Sequence, residues 1–191
     1  MATPLTSLTG QITVNCNITG QAVPAAISGL AAPTDQLALI EQLRVVFGSG
    51  AGQSNLDYYT SGSITGSGTT TIDLYTGLLN AYGGAVNLAT IKGVILINTS
   101  GDQSSPTAQP PAPAIVMGNA SNPFLGWFGT GNGAFTETIN AGAAGLPGMS
   151  IHLDLTTGWA VTSPGALNLM LTNTSSTLTA YYDIILLGVS R

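Results

Sequence analysis

An all-β fold is predicted, an antiparallel β-sandwich of jelly-roll-like form with an N-terminal arm and at most a short helix. Three observations predict it. Short runs of β-branched and aromatic residues recur along the chain, about eight to ten of them from Leu56 onward. Gly, Pro and Asn separate these runs at near-regular spacing. Several alternate apolar and polar residues with the two-residue period of a half-buried strand.

The first fifty residues form one unit, an arm or docking segment, and 51–191 form the sandwich. In the arm, "GQITVNCNITG" alternates Ile12, Val14, Cys16 and Ile18 with Gln11, Thr13, Asn15 and Asn17 and reads as a strand. "QAVPAAISGLAAP" reads as an extended linker. "TDQLALIEQLRVVFG" offers Thr34 or Asp35 as an N-cap, Leu37, Ile40 and Leu43 or Arg44 at helical spacing, and Gly48 as a stop. It is the helix candidate, although "RVVF" reads equally as strand. "GSGAGQSN" follows as a hinge.

In the sandwich, "LDYYTSGSI" and "TTTIDLY" flank the turn "TGSG" as in a hairpin. "TGLLNAYGG" is one helical turn or a loop. "ATIKGVILIN" is apolar on both faces from Val94 to Ile97, which predicts a central strand, and "TSGDQSSPTAQPPAP" is a polar surface loop. "AIVMG", "AFTETIN", "MSIHLDL", "WAVTS" and "ALNLMLTN" are short strands. "LTAYYDIILLGVS" ends the chain as a second two-faced strand. "VILINTS" and "LMLTNTS" share a strand ending and are not a repeat.

At 191 residues the chain has the length of one domain with a proper core. Only 6% of its residues are charged, against roughly a quarter in ordinary globular chains. Mean hydropathy is +0.36, yet no run approaches the ~18 consecutive apolar residues of a membrane span. "MATPLTSLTGQ" has neither the basic nor the apolar region of a secretory signal. The net charge is −5, and Arg44, Lys92 and Arg191 are the only cations apart from the single histidine. Three scattered cations make no stripe for a phosphate backbone, so neither a nucleic-acid nor a membrane partner is expected. One cysteine, Cys16, excludes an intrachain disulfide framework and a cysteine-based zinc site, and fits synthesis in a reducing cytoplasm. So weakly charged a surface self-associates readily, which fits a subunit of an assembly better than a free enzyme.

Chemistry is sparse. In "SIHLDL", Ser150, His152 and Asp154 share one strand face and invite a nucleophile–base–acid reading. Positions i and i+2 lie about 7 Å apart along a strand, whereas a triad needs contacts of roughly 2.6–3.2 Å, so a solvated strand face is expected instead. No GxSxG elbow is present. Asp73, Glu137, Asp154 and Asp183 fall in predicted strands, but their spacing does not pair them as a glycosidase would need. Asp183 fits a hydrogen-bonded or subunit-contact role better than a catalytic one. No metal-ligand spacing and no phosphate loop occurs, since "GSGAG" and "GTGNG" read as hinge and turn. No catalytic, cofactor-binding or metal residues are assigned and no cofactor is expected. Phe124, Trp127 and Phe128 in "NPFLGWFGTG", with Trp159, are the candidate interface residues, set against the simpler role of plugging the end of the sandwich. "NIT", "NAS" and two "NTS" match the glycosylation sequon by coincidence in a chain so rich in Asn, Ser and Thr.

Four stretches in order carry a resemblance: "SGSITGSGTTTIDLYTGLLNAYGGAVNLATIKGVILINTS", "GNASNPFLGWFG", "INAGAAGLPGMSIHLDLTTGWAVT" and "LNLMLTNTSSTLTAYYDIILLGVSR". Together they resemble a widespread group of tailed-bacteriophage virion proteins, over roughly residues 57 to 191. "LTTGWAVTSP" departs from the Pro-Asp-Ala-like turn of many members, and the first fifty residues are particular to this chain. The resemblance implies a virion part, foremost a multi-copy decoration or cement protein on the capsid exterior. Its partners would be the major capsid protein and further copies of itself, as a trimer or dimer. The alternative it leaves open is a tail, baseplate or head-fibre module that binds host surface glycan.

Overall fold

The computed structural model describes residues 9–21, 34–79, 83–102, 112–118, 120–124, 126–127, 136–141 and 147–191, and for 9–21 and 34–44 the backbone only. Fourteen strands run through these residues: β1 Thr9–Gln21, β2 Thr34–Phe47, β3 Gln53–Ser54, β4 Leu56–Ile64, β5 Thr69–Asp73, β6 Leu78–Leu79, β7 Ala85–Val86, β8 Leu88–Asn98, β9 Ile115–Gly118, β10 Thr136–Ile139, β11 Gly148–Leu153, β12 Trp159–Ala160, β13 Asn168–Asn173 and β14 Ala180–Ser190. The helical content among the described residues is one 3-10 turn, Ser100–Asp102.

Two antiparallel sheets make the body. One has the order β11-β8-β14-β4, with β12 also on β8, and the other has the order β10-β9-β13-β5. Successive long strands pass between the sheets in the pattern of a jelly roll, which is the expected all-β sandwich. Leu96, Val94, Ile184 and Leu186 from the first sheet meet Ile115, Met117, Leu169 and Leu171 from the second, all fully buried. Each such side chain contributes roughly 1.5–3 kcal/mol of transfer free energy.

The central strand expected at "ATIKGVILIN" is β8, flanked by β11 and β14. Its register shifts between Leu187 and Gly188 of β14, which pair with Gly93 and Ile91 and leave Lys92 as the extra residue of a bulge. Below it Ile91 is turned into the core, and the buried Lys92 Nζ donates to the Thr156 carbonyl at 2.9 Å.

Asn98 and Asn173 explain the shared strand ending. Each closes a strand, is buried, and accepts through Oδ1 from the backbone N–H two residues on, Ser100 and Ser175. Asn98 Nδ2 donates to Pro113 and Ile139, while Asn173 Nδ2 donates to Ile64, Thr65 and Leu178, tying the ends of the sheets together. Buried in this way, neither "NTS" asparagine is placed to carry a glycan.

Three expectations need correction. The helix candidate at Thr34–Gly48 is strand β2, paired along its length with β1 in a two-stranded ribbon. The same residues also alternate with period two (Leu37, Leu39, Leu43, Val45), and pairing with the alternating β1 decides for the strand. The hinge "GSGAGQSN" contains β3, which pairs in parallel with β2 and closes on itself through Gln53 N–H to the Gly50 carbonyl. The "TGSG" turn is present, with Gly68 N–H donating to Thr65, but its flanking strands do not pair. β4 joins β14 and β5 joins β13, so this turn crosses from one sheet to the other. The "TGLLNAYGG" stretch holds β6, which pairs with β7 immediately after it. The linker 22–33, most of the Pro-rich loop (103–111) and "GTGNG" lie outside the described residues.

Candidate functional site

Ser150 and His152 lie on the inner face of β11, the outermost strand of its sheet. Glu137 lies on the inner face of β10, the outermost strand of the other, so the open rim of the sandwich brings the three together. The Ser150 hydroxyl donates to Glu137 Oε1 at 2.6 Å, and Ser150 Oγ sits 3.0 Å from His152 Nε2. His152 Nε2 is 2.6 Å from Glu137 Oε2. Spacing along the strand therefore does not keep Ser150 and His152 apart, contrary to expectation, because both side chains lean toward the same carboxylate. Asp154 is not the acid of this cluster.

Its face is not the solvated one either. Ser150 is 7% exposed, while Met149 and Ile151 on the other face are 52% and 40% exposed.

The hydrogen-bond pattern determines what this cluster can do. A serine hydrolase needs the acid on one ring nitrogen and the nucleophile on the other, with a bare lone pair facing the hydroxyl. Here Glu137 and Ser150 meet the same nitrogen. The serine hydroxyl donates to the carboxylate, and no second ring nitrogen separates the acid from the serine. This arrangement locks the rim and provides no activated nucleophile.

Trp127 covers it. Its ring stacks on His152 at 4.8 Å and 15°, with Phe124 at 5.2 Å and Trp159 edge-on at 5.4 Å. Three of the four candidate interface residues thus form one cluster: Phe124 is fully buried, while Trp127 and Trp159 are partly buried. Phe128 lies outside the described residues. A tryptophan with His152 on its face is a poor platform for a sugar.

Asp154 and Asp73 share a different role. Each opens a D-L-x-T-G turn, "DLTTG" and "DLYTG", and accepts from the N–H groups two and three residues on and from the threonine hydroxyl. Each turn ends on a glycine of positive φ, +85° at Gly77 and +72° at Gly158. The Thr157 hydroxyl, then the Thr157 N–H, hold the Asp154 carboxyl below its ordinary value against desolvation, with the Gly158 and Thr156 N–H groups adding to the fall. At Asp73 desolvation pushes upward, and the bonds from Tyr75 and Thr76 with the Arg191 charge outweigh it, leaving the carboxyl lowered.

Asp73 and Glu137 are at opposite edges of one sheet, on β5 and β10. Asp183 is on the outer face of β14, 3.5 Å from the Tyr59 hydroxyl. No carboxylate pair forms among these four residues, and no group of three metal-ligating side chains occurs among the described residues.

On the opposite rim, a groove of about 460 Å³ runs between β4 and β5, lined by Tyr58, Thr60, Thr70, Thr71, Asp73 and Tyr182 among others. Burial pushes the Tyr182 phenol above its ordinary 10.0, with the Thr70 hydrogen bond pulling down and Tyr58 adding to the rise.

Sequence reasoning missed the outer face of the β11-β8-β14-β4 sheet. Ile151, Ile95, Ile185 and Tyr59 line up across its four strands, and Met149, Ile97, Asp183 and Ser61 form the next row. The apolar character of both faces of β8 and β14 was visible in the sequence, but it was read as burial on both sides. No family model, no curated protein and no solved structure matches this chain.

Proposed function

We propose that this chain is a non-enzymatic structural component of a bacteriophage virion, a multi-copy decoration or cement protein on the capsid exterior. One observation carries the proposal: a chain with 6% charged residues turns an aliphatic sheet face outward. Free in water, that face exposes apolar surface where an ordinary monomer would carry charge. Set between subunits, the same surface contributes about 25 cal/mol per Å² before the costs of association. The resemblance of residues 57–191 to phage virion proteins supplies the setting. Jelly rolls serve viral capsids and lectins alike, so the fold supports the reading by analogy only. The Ser150–His152–Glu137 cluster adds no catalytic step. By bridging neighbouring capsid subunits, many modest contacts would together stiffen the shell.

Quantitative mass spectrometry of purified virions tests this against the major capsid protein. Copies in the hundreds per particle are expected. A few to some dozens would move the chain to the tail or vertices, and none would overturn the proposal.

The groove between β4 and β5, with two tyrosines beside threonine hydroxyls, favours a second reading as a tail, baseplate or fibre module that binds host glycan. Glycan-array binding that is lost in Tyr58→Ala would favour it.

A further inference from the structure

The β1–β2 ribbon is amphipathic by register. Ile12 pairs with Leu43, Cys16 with Leu39 and Ile18 with Leu37, and directly opposed residues of an antiparallel pair share a face. Glu41, opposite Val14, is the one charge within this row, and Asp35 lies at its far end. The alternate face is the more polar one, with Gln11–Arg44, Thr13–Gln42 and Thr19–Gln36, and it also carries Ile40 opposite Asn15, Ala38 opposite Asn17 and Val46 opposite Thr9.

The ribbon belongs to a sheet of its own: its strands pair with each other and with β3, and with no strand of the two body sheets. β2 and β3 are parallel, with Val46 opposite Gln53 and Phe47 opposite Ser54. At Asn55 the chain bends before it enters β4. β2 is held at its Val46 end, beside the end of the sheet where β4 begins and β14 finishes. Ser54 Oγ donates to the Gly188 carbonyl and accepts from the Gly188 N–H, and Gly52 N–H donates to the Leu155 carbonyl, which fixes that root. Val45, at the root of the apolar row, is 1% exposed, and the row from Leu43 to Leu37 continues beyond it along the ribbon.

We propose that the outer face of the β11-β8-β14-β4 sheet is the docking surface for the β1–β2 ribbon of a second copy of this chain. The apolar face of the arm packs over Met149, Ile151, Ile95, Ile97, Ile185 and Leu187. This inference deepens the structural-subunit reading by naming the partner of that surface.

Dimensions agree. Thirteen ribbon residues span ~43 Å and two strands ~10 Å, while the eleven-residue strands β8 and β14 span ~36 Å. One ribbon covers roughly 400 Å², and reciprocal exchange doubles this to about the 800 Å² per partner of a standard stable interface. Exchange of arms closes a two-fold dimer, and passing each arm to the next copy closes a ring.

The test uses the full-length chain without phage, so its outcome is independent of virion copy number. Light scattering should give a closed oligomer of the 19.2 kDa protomer. Ile151→Lys, on an exposed edge strand, should weaken association by roughly a hundredfold or more, because an unpaired ammonium is strongly disfavoured in an apolar contact. Its circular dichroism and melting should stay near wild type. Because Cys16 is the only native cysteine, Ile151→Cys with a short bismaleimide should give covalent dimers joined between positions 16 and 151, read by peptide mass spectrometry. A monomeric wild type would overturn the proposal. So would a 16–151 link within one chain, or an oligomer that withstands Ile151→Lys and yields no such link.

Discussion

Ser150 and Ile151 are neighbours on one strand and invert the usual assignment of faces: the serine is 7% exposed at the rim of the core, and the isoleucine is 40% exposed outside it. A shift of one residue in register would exchange them. Glu137, which reaches from the other sheet to Ser150 and His152, favours the observed register beside the backbone pairing of β11 with β8. The polar trio seals the rim, and the aliphatic residues are left facing out.

From the rim follows a prediction about chemistry. Activated esters should be hydrolysed no faster by wild type than by Ser150→Ala, because the serine proton is held by Glu137 and the histidine offers it no free base. The same variant should lose roughly 1–2 kcal/mol of stability, the cost of a buried charge-assisted hydrogen bond. Stopped assays with a chromogenic ester, beside urea denaturation, check both halves.

The buried asparagines predict larger losses. Asn173→Ala removes three donated bonds and one accepted bond. A destabilisation of about 2–4 kcal/mol is expected, because several carbonyls at the sandwich end lose their partner together. Melting should fall by roughly 5–15 °C for a chain of this size. Calorimetry measures it directly.

The paired D-L-x-T-G turns offer an internal control. Gly77 and Gly158 both have positive φ, so alanine at either position is strained by about 1–2 kcal/mol. At Gly77 an added Cβ meets nothing within 4 Å, whereas at Gly158 it would come 2.6 Å from the Ile91 carbonyl oxygen. Gly158→Ala should therefore be clearly the more damaging of the two, and equal midpoints in urea would contradict the described backbone.

Acid stability should depend on Asp73. Its folded carboxyl titrates below the ordinary 3.8, so the unfolded chain binds the proton first as pH falls. The contribution is complete above about pH 5 and is lost as pH drops through the folded value. Asp73→Asn should flatten the melting temperature between pH 5 and pH 2.5 relative to wild type, although the variant melts lower at neutral pH.

Much of this fold could be read from the residues. The alternation of "QITVNCNI", the two-faced runs at Val94–Ile97 and Ile184–Leu187, and the Asn strand endings all correspond to observed elements. Thr34–Phe47 misled because leucines at 37 and 43 with Ile40 satisfy a helical period while 37, 39, 43 and 45 satisfy a strand period. Only the partner strand decides between them. The trio was half visible: Ser150 and His152 stand together in the sequence, but Glu137 comes from another sheet and no spacing announces it. The outward-facing aliphatic rows stayed hidden for a related reason. Composition shows that a strand is apolar on both sides, and not which side meets its own core.

Methionine oxidation tests most directly whether that outer face is covered in the working assembly. Met149 is 52% exposed in the isolated chain, so mild peroxide should convert it rapidly to the sulfoxide in the dissociated Ile151→Lys variant. In intact virions it should be protected by roughly tenfold or more, as a contact buried between subunits would be. Equal oxidation rates in the free variant and in the particle would contradict the account.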